Sequence, residues 1–281
     1  MGEFAVSTAS VDDMRLIAQW ARDEDWHPGD GDENVFFPTD PGGFLVGRLD
    51  GQPVSSIAAV RYGTGHGFIG LYLTVPEFRG RGYGFRTWQA GMERLAGRNI
   101  GLDGVVAQQE NYRKSGFRPA WTTTRFEGVL AGAETAAGLR VVEARELPFT
   151  LLTAYDRRFF PAGRDAFLAL WITGSGRHGV AAIRDGAVVG FGVRRSAGDA
   201  DRIGPLFADD AAAAEALLAG LSTEYEMPVL IDVPETSPDA AKLLERLGLA
   251  PIWDTARMYT AGTPEEVDLS GVFAVTSLEM G

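Results

Sequence analysis

A glycine-rich turn between two apolar segments carries the clearest chemical signal in the sequence. The turn is Arg79-Gly80-Arg81-Gly82-Tyr83-Gly84, between a predicted strand at 68–74 and a predicted helix at 85–95. In a strand–turn–helix unit, several backbone N–H groups and the positive end of the helix dipole converge on one point. Alternate glycines let a ligand come close to the backbone. The turn therefore predicts a binding site for a phosphate or a pyrophosphate.

A second segment with chemical potential lies at 23–34, where six carboxylates surround Trp26 and His27. Carboxylates and aromatic rings together suit the binding of a cationic amine. The same composition is typical of a solvated acidic turn, so both interpretations stay open. A calcium loop is disfavoured, because Asp30-x-Asp32 lacks the remaining ligands of an EF-hand.

The composition sets limits on the function. The chain has 281 residues, of which 45% are hydrophobic and 23% charged, which fits one large or two ordinary globular domains. The net charge of −12 opposes broad nucleic-acid binding and is compatible with a cationic small substrate. The absence of cysteine excludes disulfides, thiolate metal sites and a cysteine nucleophile. We see no signal peptide and no apolar run long enough to span a bilayer, so we expect a cytoplasmic protein without a membrane partner.

Hydrophobic periodicity and turn residues predict the elements that position the glycine turn. A capping box at Ser10 and Asp13 starts the first helix, which we expect to end near Asp25, and Asp50-Gly51 predicts a hairpin. The further predicted helices span 110–115, 149–159, 165–172, 209–221 and 238–247. The further predicted strands span 4–8, 44–49, 54–62, 100–107, 117–127, 139–144, 180–183, 188–194, 203–207, 229–233, 253–259 and 272–279.

The second half of the chain repeats landmarks of the first at nearly constant spacing. Asp50-Gly51 and Asp185-Gly186 are 135 residues apart, Asp103 and Asp232 are 129 apart, and Gly116-Phe117 and Gly248-Leu249 are 132 apart. We therefore predict two domains of one fold, at 1–130 and 139–281, joined by a linker at 131–138. The alternative is two unrelated domains with similar hairpin and cap signals. The glycine turn itself is not repeated, because Ala208-Asp209-Asp210 stands in its place and these aspartates would repel a phosphate.

Two motifs of the first half resemble the GNAT superfamily of acyl-CoA N-acyltransferases. The turn 79–84 after Thr74-Val75-Pro76 is similar to the family's signature turn, and Tyr112-Arg113-Lys114-Ser115-Gly116-Phe117 is similar to a second family element. The whole chain resembles the tandem-GNAT group, and its second half looks like a degenerate copy with Leu244 in the place of Tyr112. The resemblance implies an α+β (mixed α/β) fold of two tandem GNAT-like domains, each a mixed, mostly antiparallel sheet flanked by helices.

The resemblance also implies acetyl-CoA (coenzyme A) as the co-substrate, with no metal. The pyrophosphate would bind the glycine turn, and the pantetheine arm would pair with the end of the strand before Pro76, where one backbone N–H polarises the thioester carbonyl. Tyr112 would be the general acid that protonates the departing thiolate. The implied cofactor-binding residues are Leu73, Thr74, Val75, Arg79, Gly80, Arg81, Gly82, Tyr83, Gly84, Arg86 and Tyr112.

The acceptor side has no motif of its own. In the family the loop after the first helix lines this side, which makes Asp25, Trp26 and His27 the expected substrate-binding residues. A general base must accept a proton from the amine, and Tyr72 is the candidate on the strand itself. The other candidates are His27, His66, Asp23, Glu24 and Asp25.

The resulting prediction is an acetyl-CoA-dependent N-acetyltransferase that transfers an acetyl group to the primary amine of a small molecule, directly and in a ternary complex. The second half would cover the acceptor pocket, and the chain would act as a monomer or a homodimer. A non-catalytic CoA-binding sensor or scaffold is the alternative, because the second half indicates that this fold can lose its chemistry. A dinucleotide-binding enzyme is disfavoured, because Gly80-x-Gly82-x-Gly84 does not match Gly-x-Gly-x-x-Gly.

Overall fold

The computed structural model describes residues 2–222 and 227–281, which form one continuous mixed sheet with helices on both faces. The helices are α1 (Val11–Asp23), α2 (Asp32–Thr39), α3 (Tyr83–Arg94), α4 (Gln109–Lys114), α5 (Phe149–Asp156), α6 (Asp165–Thr173), α7 (Ala211–Leu221) and α8 (Pro238–Arg246). The strands are β1 (Phe4–Thr8), β2 (Phe44–Leu49), β3 (Gln52–Tyr62), β4 (His66–Thr74), β5 (Asn99–Val105), β6 (Arg118–Gly128), β7 (Arg140–Glu143), β8 (Arg177–Arg184), β9 (Ala187–Ala197), β10 (Ala200–Ala208), β11 (Val229–Pro234), β12 (Ala250–Tyr259) and β13 (Val272–Ala274).

The apolar core lies in three buried clusters on the two faces of the sheet. Helices α1, α2, α5 and α6 share one cluster with one face of the central strands. Helix α3 packs on the opposite face of the first half, and α7 and α8 pack on the corresponding face of the second. Strand β3 shows the division, because Ala58 and Val60 face the first cluster whereas Ile57 and Ala59 face α3. No helix in the described ranges is long and apolar enough to cross a membrane.

The predicted α+β fold class is confirmed, and its local signals act as expected. At the start of α1, the Ser10 hydroxyl accepts a hydrogen bond from the Asp13 N–H (3.2 Å), and the Asp13 carboxylate accepts one from the Ser10 N–H (2.8 Å). The hairpin turn between β2 and β3 places Asp50 at φ 50° and Gly51 at φ 84°, as a two-residue loop requires. Helix α1 ends at Asp23, two residues before its predicted end.

Two elements differ from the sequence prediction. No helix was predicted between residues 26 and 43, where residues 26–34 were expected to be irregular, yet α2 forms after Gly31 at φ 73°, and its Phe36 stacks on Trp171 of α6 at 5.9 Å between ring centroids. The predicted strand 272–279 is a strand only from Val272 to Ala274. Among the described strands it pairs with β10, in its own half, and not with a strand of the first half.

Pairing across the halves is made by β6 and β12 instead. The strand order is β1-β2-β3-β4-β5-β12-β6-β11-β10-β9-β8-β7, and of the strand pairs that the structure describes only β4–β5 and β10–β11 are parallel. Strand β6 of the first half pairs only with β11 and β12 of the second, and β12 pairs only with β5 and β6 of the first, among the described strands. The two halves therefore exchange their last long strands and complete each other's sheet.

Two buried ion pairs hold the exchanged strands. Arg125 on β6 donates two hydrogen bonds to Asp232 on β11 (2.7 and 3.1 Å). Arg257 on β12 donates two to Asp103 on β5 (2.8 and 2.6 Å). The repeated landmarks Asp103 and Asp232 therefore have matching partners. Burial opposes ionisation of Asp232, but the Arg125 and Arg202 guanidiniums outweigh it and hold the pKa of that carboxyl at about 2.

Each half contains a pair of parallel strands that separate, but only the first half leaves the gap open. The β4–β5 pairing stops at Ile69 and Leu102, and the β10–β11 pairing stops at Ile203 and Ile231. In the second half β13 enters this gap and pairs with β10, and the Val275 N–H donates to the Asp232 carbonyl on β11 (3.0 Å). The corresponding gap in the first half opens into a large cavity.

Candidate functional site

A cavity of about 880 Å³ follows β4 from the point where it separates from β5 to the glycine turn. We call its two ends the glycine end (Gly80, Gly82, Gly84) and the tryptophan end (Trp26, Trp253). The wall between them carries residues 69–74 of β4, residues 102–105 of β5, and Trp88 and Tyr112. Further lining residues are Glu24, Phe78, Arg79, Phe85, Gln108, Asn111, Lys114, Ser115, Arg125, Thr255, Leu278 and Glu279.

The glycine end has the geometry of an anion site at a helix N-terminus. Gly80 and Gly82 have φ values of 74° and 83°, and a Cβ on either would meet no atom within 4 Å. Glycine is favoured at these two positions because of the positive φ and not because of crowding, and the space above the turn is open. Gly82 is the N-cap of α3 and makes no side-chain capping bond, so the first N–H groups of α3 are available to a ligand.

Gly84 has a different role from the other two glycines. A Cβ at this position would overlap the Thr74 hydroxyl and would lie 3.2 Å from the Tyr72 hydroxyl. Because Gly84 lacks a Cβ, the first turn of α3 can pack directly against the end of β4. The glycine turn is thereby held next to the open edge of the strand.

The three predicted arginines point in different directions. Arg79 lines the cavity, donates from Nε to the Thr74 carbonyl (2.8 Å), and forms an ion pair with Glu24. Arg81 is exposed, with its guanidinium 5.7 Å from the Phe78 ring centroid. Arg86 lies over the Phe4 ring and donates to the Phe4 carbonyl (3.0 Å), so its guanidinium already has a partner on β1. Tyr83 also stacks on Phe4, at 5.0 Å, and is not a lining residue.

At the end of β4, the backbone groups that face the cavity are those of Tyr72 and Thr74, whereas the sequence analysis expected those of Leu73 and Val75. The Val75 N–H donates to the Val54 carbonyl (3.0 Å), and Leu73 lies opposite Ser56 on β3, so these residues face β3. Since backbone groups alternate sides along a strand, Tyr72 and Thr74 face the gap toward β5. A bulge at Leu71, which has φ 46°, shifts the register immediately before them. The backbone of Leu73 and Val75, which the sequence analysis expected to face a ligand, faces β3, and the backbone of Tyr72 and Thr74 faces the cavity.

Tyr112 on α4 lines the middle of the cavity. Its ring packs against Trp88 (5.5 Å between centroids) and against Gly104 of β5, where a Cβ would overlap the ring. Burial, reinforced by nearby Tyr72, raises the pKa of Tyr112 to about 12. The phenol therefore keeps its proton at neutral pH, as a proton donor must.

The structure separates the candidates for a general base. Tyr72 lines the cavity and packs on Trp88, but burial raises the pKa of its phenol, which disfavours it as a base. His66 lies at the far end of β4, packed between Tyr62 and Phe160, and does not line the cavity. Burial and the Arg257 guanidinium lower the pKa of His66 to about 4.

Two carboxylates of the acidic segment 23–34 join the two halves. Asp32 is buried and accepts ion pairs from Arg177 and Arg195 of the second half. Asp30 accepts hydrogen bonds from the Ser196 hydroxyl (2.8 Å) and the Gly198 N–H (3.2 Å). Of the three predicted substrate-binding residues, Trp26 lines the cavity, whereas Asp25, His27 and also Asp23 are not among the described lining residues.

The tryptophan end contains residues that the sequence analysis did not select. Arg125 lies over the Trp253 ring at 5.2 Å and donates to the Trp26 carbonyl (3.1 Å). The repeat could have marked both residues. Trp121-x-x-x-Arg125 matches Trp253-x-x-x-Arg257 at a spacing of 132, so Arg125 and Trp253 belong to corresponding motifs of the two halves. Leu278 and Glu279 reach the cavity from the segment after β13, and no local pattern marks them. The described residues contain no cluster of three or more side chains suited to a metal ion.

The position equivalent to the glycine end is closed in the second half. Asp210 is the N-cap of α7, and its carboxylate accepts a hydrogen bond from the Ala213 N–H (2.9 Å) and pairs with Arg184 (2.7 Å). The Asp210 carboxylate thus binds the N-terminus of α7, whereas the N–H groups at the N-terminus of α3 have no side-chain partner in the described structure.

Comparisons with known proteins agree with this geometry. The model of the acetyltransferase (GNAT) family matches residues 11–117, and that of an acetyltransferase (GNAT) domain matches residues 152–274. Holothin acyltransferase from Pseudoalteromonas sp. (strain SANK 73390) is 32% identical over 277 residues, which cover 97% of this chain and 93% of that protein.

Solved structures show the same fold at lower sequence identity. A candidate acetyltransferase from Pyrococcus horikoshii matches with a TM-score of 0.82 at 21% identity, over 99% of this chain and 96% of that chain. A tandem GNAT protein from the clavulanic acid biosynthesis pathway matches with a TM-score of 0.62 at 16% identity, over 92% of this chain and 98% of that chain.

Proposed function

The chain belongs to the GNAT acetyltransferase family, with two GNAT domains in tandem, and because it is thus an acyltransferase we propose that it transfers an acetyl group from acetyl-CoA to the primary amine of a small molecule. The observation that carries the proposal is the cavity along the open edge of β4, which begins at an uncapped helix N-terminus and ends among aromatic and charged side chains. Transfer is direct, within a ternary complex.

Acetyl-CoA supplies the acetyl group as a thioester, and the residues at the glycine end fit it. The N–H groups at the start of α3, together with Gly80 and Gly82, would hold the pyrophosphate. The backbone of Tyr72 and Thr74 would pair with the pantetheine arm, because this edge of β4 has no strand partner beyond Ile69 in the described structure. One N–H of this edge would polarise the thioester carbonyl.

Tyr112 acts as the general acid. Its ring is fixed by Gly104 and Trp88, its hydroxyl makes no hydrogen bond within the described residues, and the raised pKa keeps the proton in place. When the thioester C–S bond breaks, the sulfur receives this proton and leaves as a thiol.

The acceptor enters at the tryptophan end. A cavity of about 880 Å³ falls in the range typical of small-molecule sites. The similarity to Holothin acyltransferase supports a small acceptor rather than a protein. Residues 1–130 then form the catalytic domain, residues 131–138 the linker, and residues 139–281 a degenerate domain that contributes Trp253 and covers the acceptor site.

A panel of amines tests the proposal. Acetyl-CoA is incubated with the protein and with glucosamine, spermidine, tryptamine and other primary amines, and thiol release and acetylated products are measured by absorbance and mass spectrometry. We expect enzyme-dependent acetylation of at least one small amine. If acetyl-CoA binds but no amine is acetylated, the catalytic proposal fails and a CoA-binding sensor or scaffold is favoured.

A further inference from the structure

The segment after β13 crosses from the second half into the first and lines the cavity through Leu278 and Glu279. The Tyr62 hydroxyl donates to the Met280 carbonyl (3.0 Å), and Arg164 donates to the Gly281 carbonyl (3.2 Å). On β4, Gly70 lies directly against the Glu279 backbone, where any Cβ would overlap the chain. Because Gly70 immediately precedes the bulge at Leu71, Glu279 is held at the point where β4 and β5 separate.

The Glu279 carboxylate is buried and only partly satisfied. The residue is 4% exposed and lines the cavity. Its Oε1 has one long contact, 3.5 Å from the Arg202 guanidinium, and its Oε2 has no hydrogen-bond partner among the described residues. A buried carboxylate oxygen without a donor is costly, so such an atom indicates a donor that arrives with a ligand or with water.

Charged groups surround Glu279 from several elements. Arg202 on β10 and Arg195 on β9 are the nearest cations, and Asp103 on β5 is a neighbouring carboxylate. Arg202 also pairs with Asp232 on β11, which is already held by Arg125 on β6. Glu279 therefore shares its arginine with another carboxylate.

The other two lining carboxylates, Asp103 and Glu24, have arginine partners, as does Asp232, which is not a lining residue. Both oxygens of Asp103 accept hydrogen bonds from Arg257, and Glu24 pairs with Arg79. Both oxygens of Asp232 accept hydrogen bonds from Arg125. Of the lining carboxylates that the structure describes, Glu279 is the one whose oxygen without a protein donor is buried.

We propose that Glu279 is the general base and the ammonium-binding group of the acceptor site, an inference that rests on the proposed function. The ammonium of the acceptor donates a proton to the Glu279 carboxylate, and the nitrogen lone pair forms the N–C bond as the C–S bond breaks. The sulfur takes the Tyr112 proton. The second nitrogen proton restores that phenol, and the proton on Glu279 passes to solvent.

The Glu279→Gln variant tests this role with the best amine of the panel and acetyl-CoA. We expect kcat/KM to fall by about 100-fold or more near neutral pH. The deficit should shrink as pH rises toward the amine's own pKa, because solvent then supplies the uncharged amine. Acetyl-CoA affinity and the thermal unfolding midpoint should stay close to those of the wild type. Exposed Glu245→Gln on α8 is the matched charge control and should retain full activity.

A second variant removes the carboxylate altogether. Glu279→Ala should be slow, and added formate should restore part of its turnover, because a small carboxylate can occupy the vacated space and accept the proton. A deficit that is equal at every pH, together with no rescue, would assign Glu279 a purely structural role and overturn the proposal. Undiminished turnover of Glu279→Gln overturns it as well while leaving the transferase function intact. Failure of the wild type with every amine overturns the function and this role together.

Discussion

Tyr112 is the residue on which the chemistry at the thioester depends. Replacing it with phenylalanine removes the hydroxyl but keeps the ring between Gly104 and Trp88, so the cavity retains its shape. We expect kcat to fall by about 100-fold, which is the lower range for loss of a general acid. The affinity for acetyl-CoA should change little, as measured by calorimetry beside steady-state kinetics.

The pH dependence of Tyr112→Phe gives a second check. Because the pKa of Tyr112 is raised to about 12, the wild-type phenol stays protonated across the whole neutral range. A decline of the wild-type rate between pH 7 and 10 that disappears in Tyr112→Phe would place the pKa of Tyr112 in that range and contradict the raised value. Undiminished turnover of Tyr112→Phe would contradict the role of Tyr112 as the general acid.

His66 makes a prediction about stability rather than catalysis. Its pKa is lowered from 6.5 to about 4, so between these values the unfolded chain binds a proton that the folded chain does not. The free energy of unfolding should therefore fall as pH drops from about 6.5 to 4, by up to about 3 kcal/mol from this residue, and should not depend on it above that window. Denaturant unfolding at several pH values measures the slope.

Substitution of His66 isolates its contribution. His66→Gln should flatten the dependence of the free energy of unfolding on pH between 6.5 and 4, relative to the wild type. His178→Gln, at the partly exposed second position of β8, is the control. An unchanged slope in His66→Gln would show that groups other than His66 carry the acid sensitivity between pH 6.5 and 4.

At the residue scale, the sequence identified what lies within local motifs. The glycine turn and Tyr112 were found because each motif spans a few consecutive residues in a recognisable order. Arg125, Trp253 and Glu279 come from chain positions more than 90 residues from Trp26, and the fold alone brings them to one cavity. Val75 was assigned to the wrong side of β4, because the bulge at Leu71 is invisible in the sequence.

At the element scale, helices α3 and α7 show how one repeat is open and the other closed. The N-cap of α3 is Gly82, which has no side chain, and that of α7 is Asp210, which caps its own helix. Asp210→Ala should lower the free energy of unfolding by about 1 kcal/mol, as for other lost N-caps. It should create no second acetyl-CoA site, because β13 still fills the gap between β10 and β11.

Calorimetry and denaturant unfolding of Asp210→Ala test both parts. A stoichiometry of two acetyl-CoA molecules per chain in this variant would contradict the role of β13. Asp239→Ala, at an exposed position in the first turn of α8, serves as the control for loss of one carboxylate.

Strong local signals explain which elements were predictable. The capping box of α1 and the Asp-Gly hairpins are complete within a few residues, so their positions follow from the sequence. Helix α2 has a weaker pattern and forms where Phe36 meets Trp171, which lies 135 residues away. The end of β13 is likewise set by its partners, because the chain leaves β10 to reach Gly70.

At the scale of the whole molecule, the exchange of β6 and β12 makes the two halves interdependent. The repeat predicted two copies of one fold, but no spacing indicates which sheet a strand will join. Arg125 and Arg257 fix the exchange, because each carries a buried charge that is paired with an aspartate of the other half. The second half is therefore part of the cavity wall, through Trp253 and Glu279, as well as part of the scaffold.

The central claim is that one acetyl-CoA binds per chain, at the glycine end of the first half. Isothermal titration of acetyl-CoA into the wild type, Gly82→Asp and Gly82→Asn tests it most directly. The two variants share the same shape and the same positive φ, so their difference isolates the charge at the start of α3. We predict a stoichiometry of one for the wild type, and at least about tenfold weaker binding by Gly82→Asp than by Gly82→Asn. Equal affinities for all three proteins, or two sites in the wild type, would contradict the account.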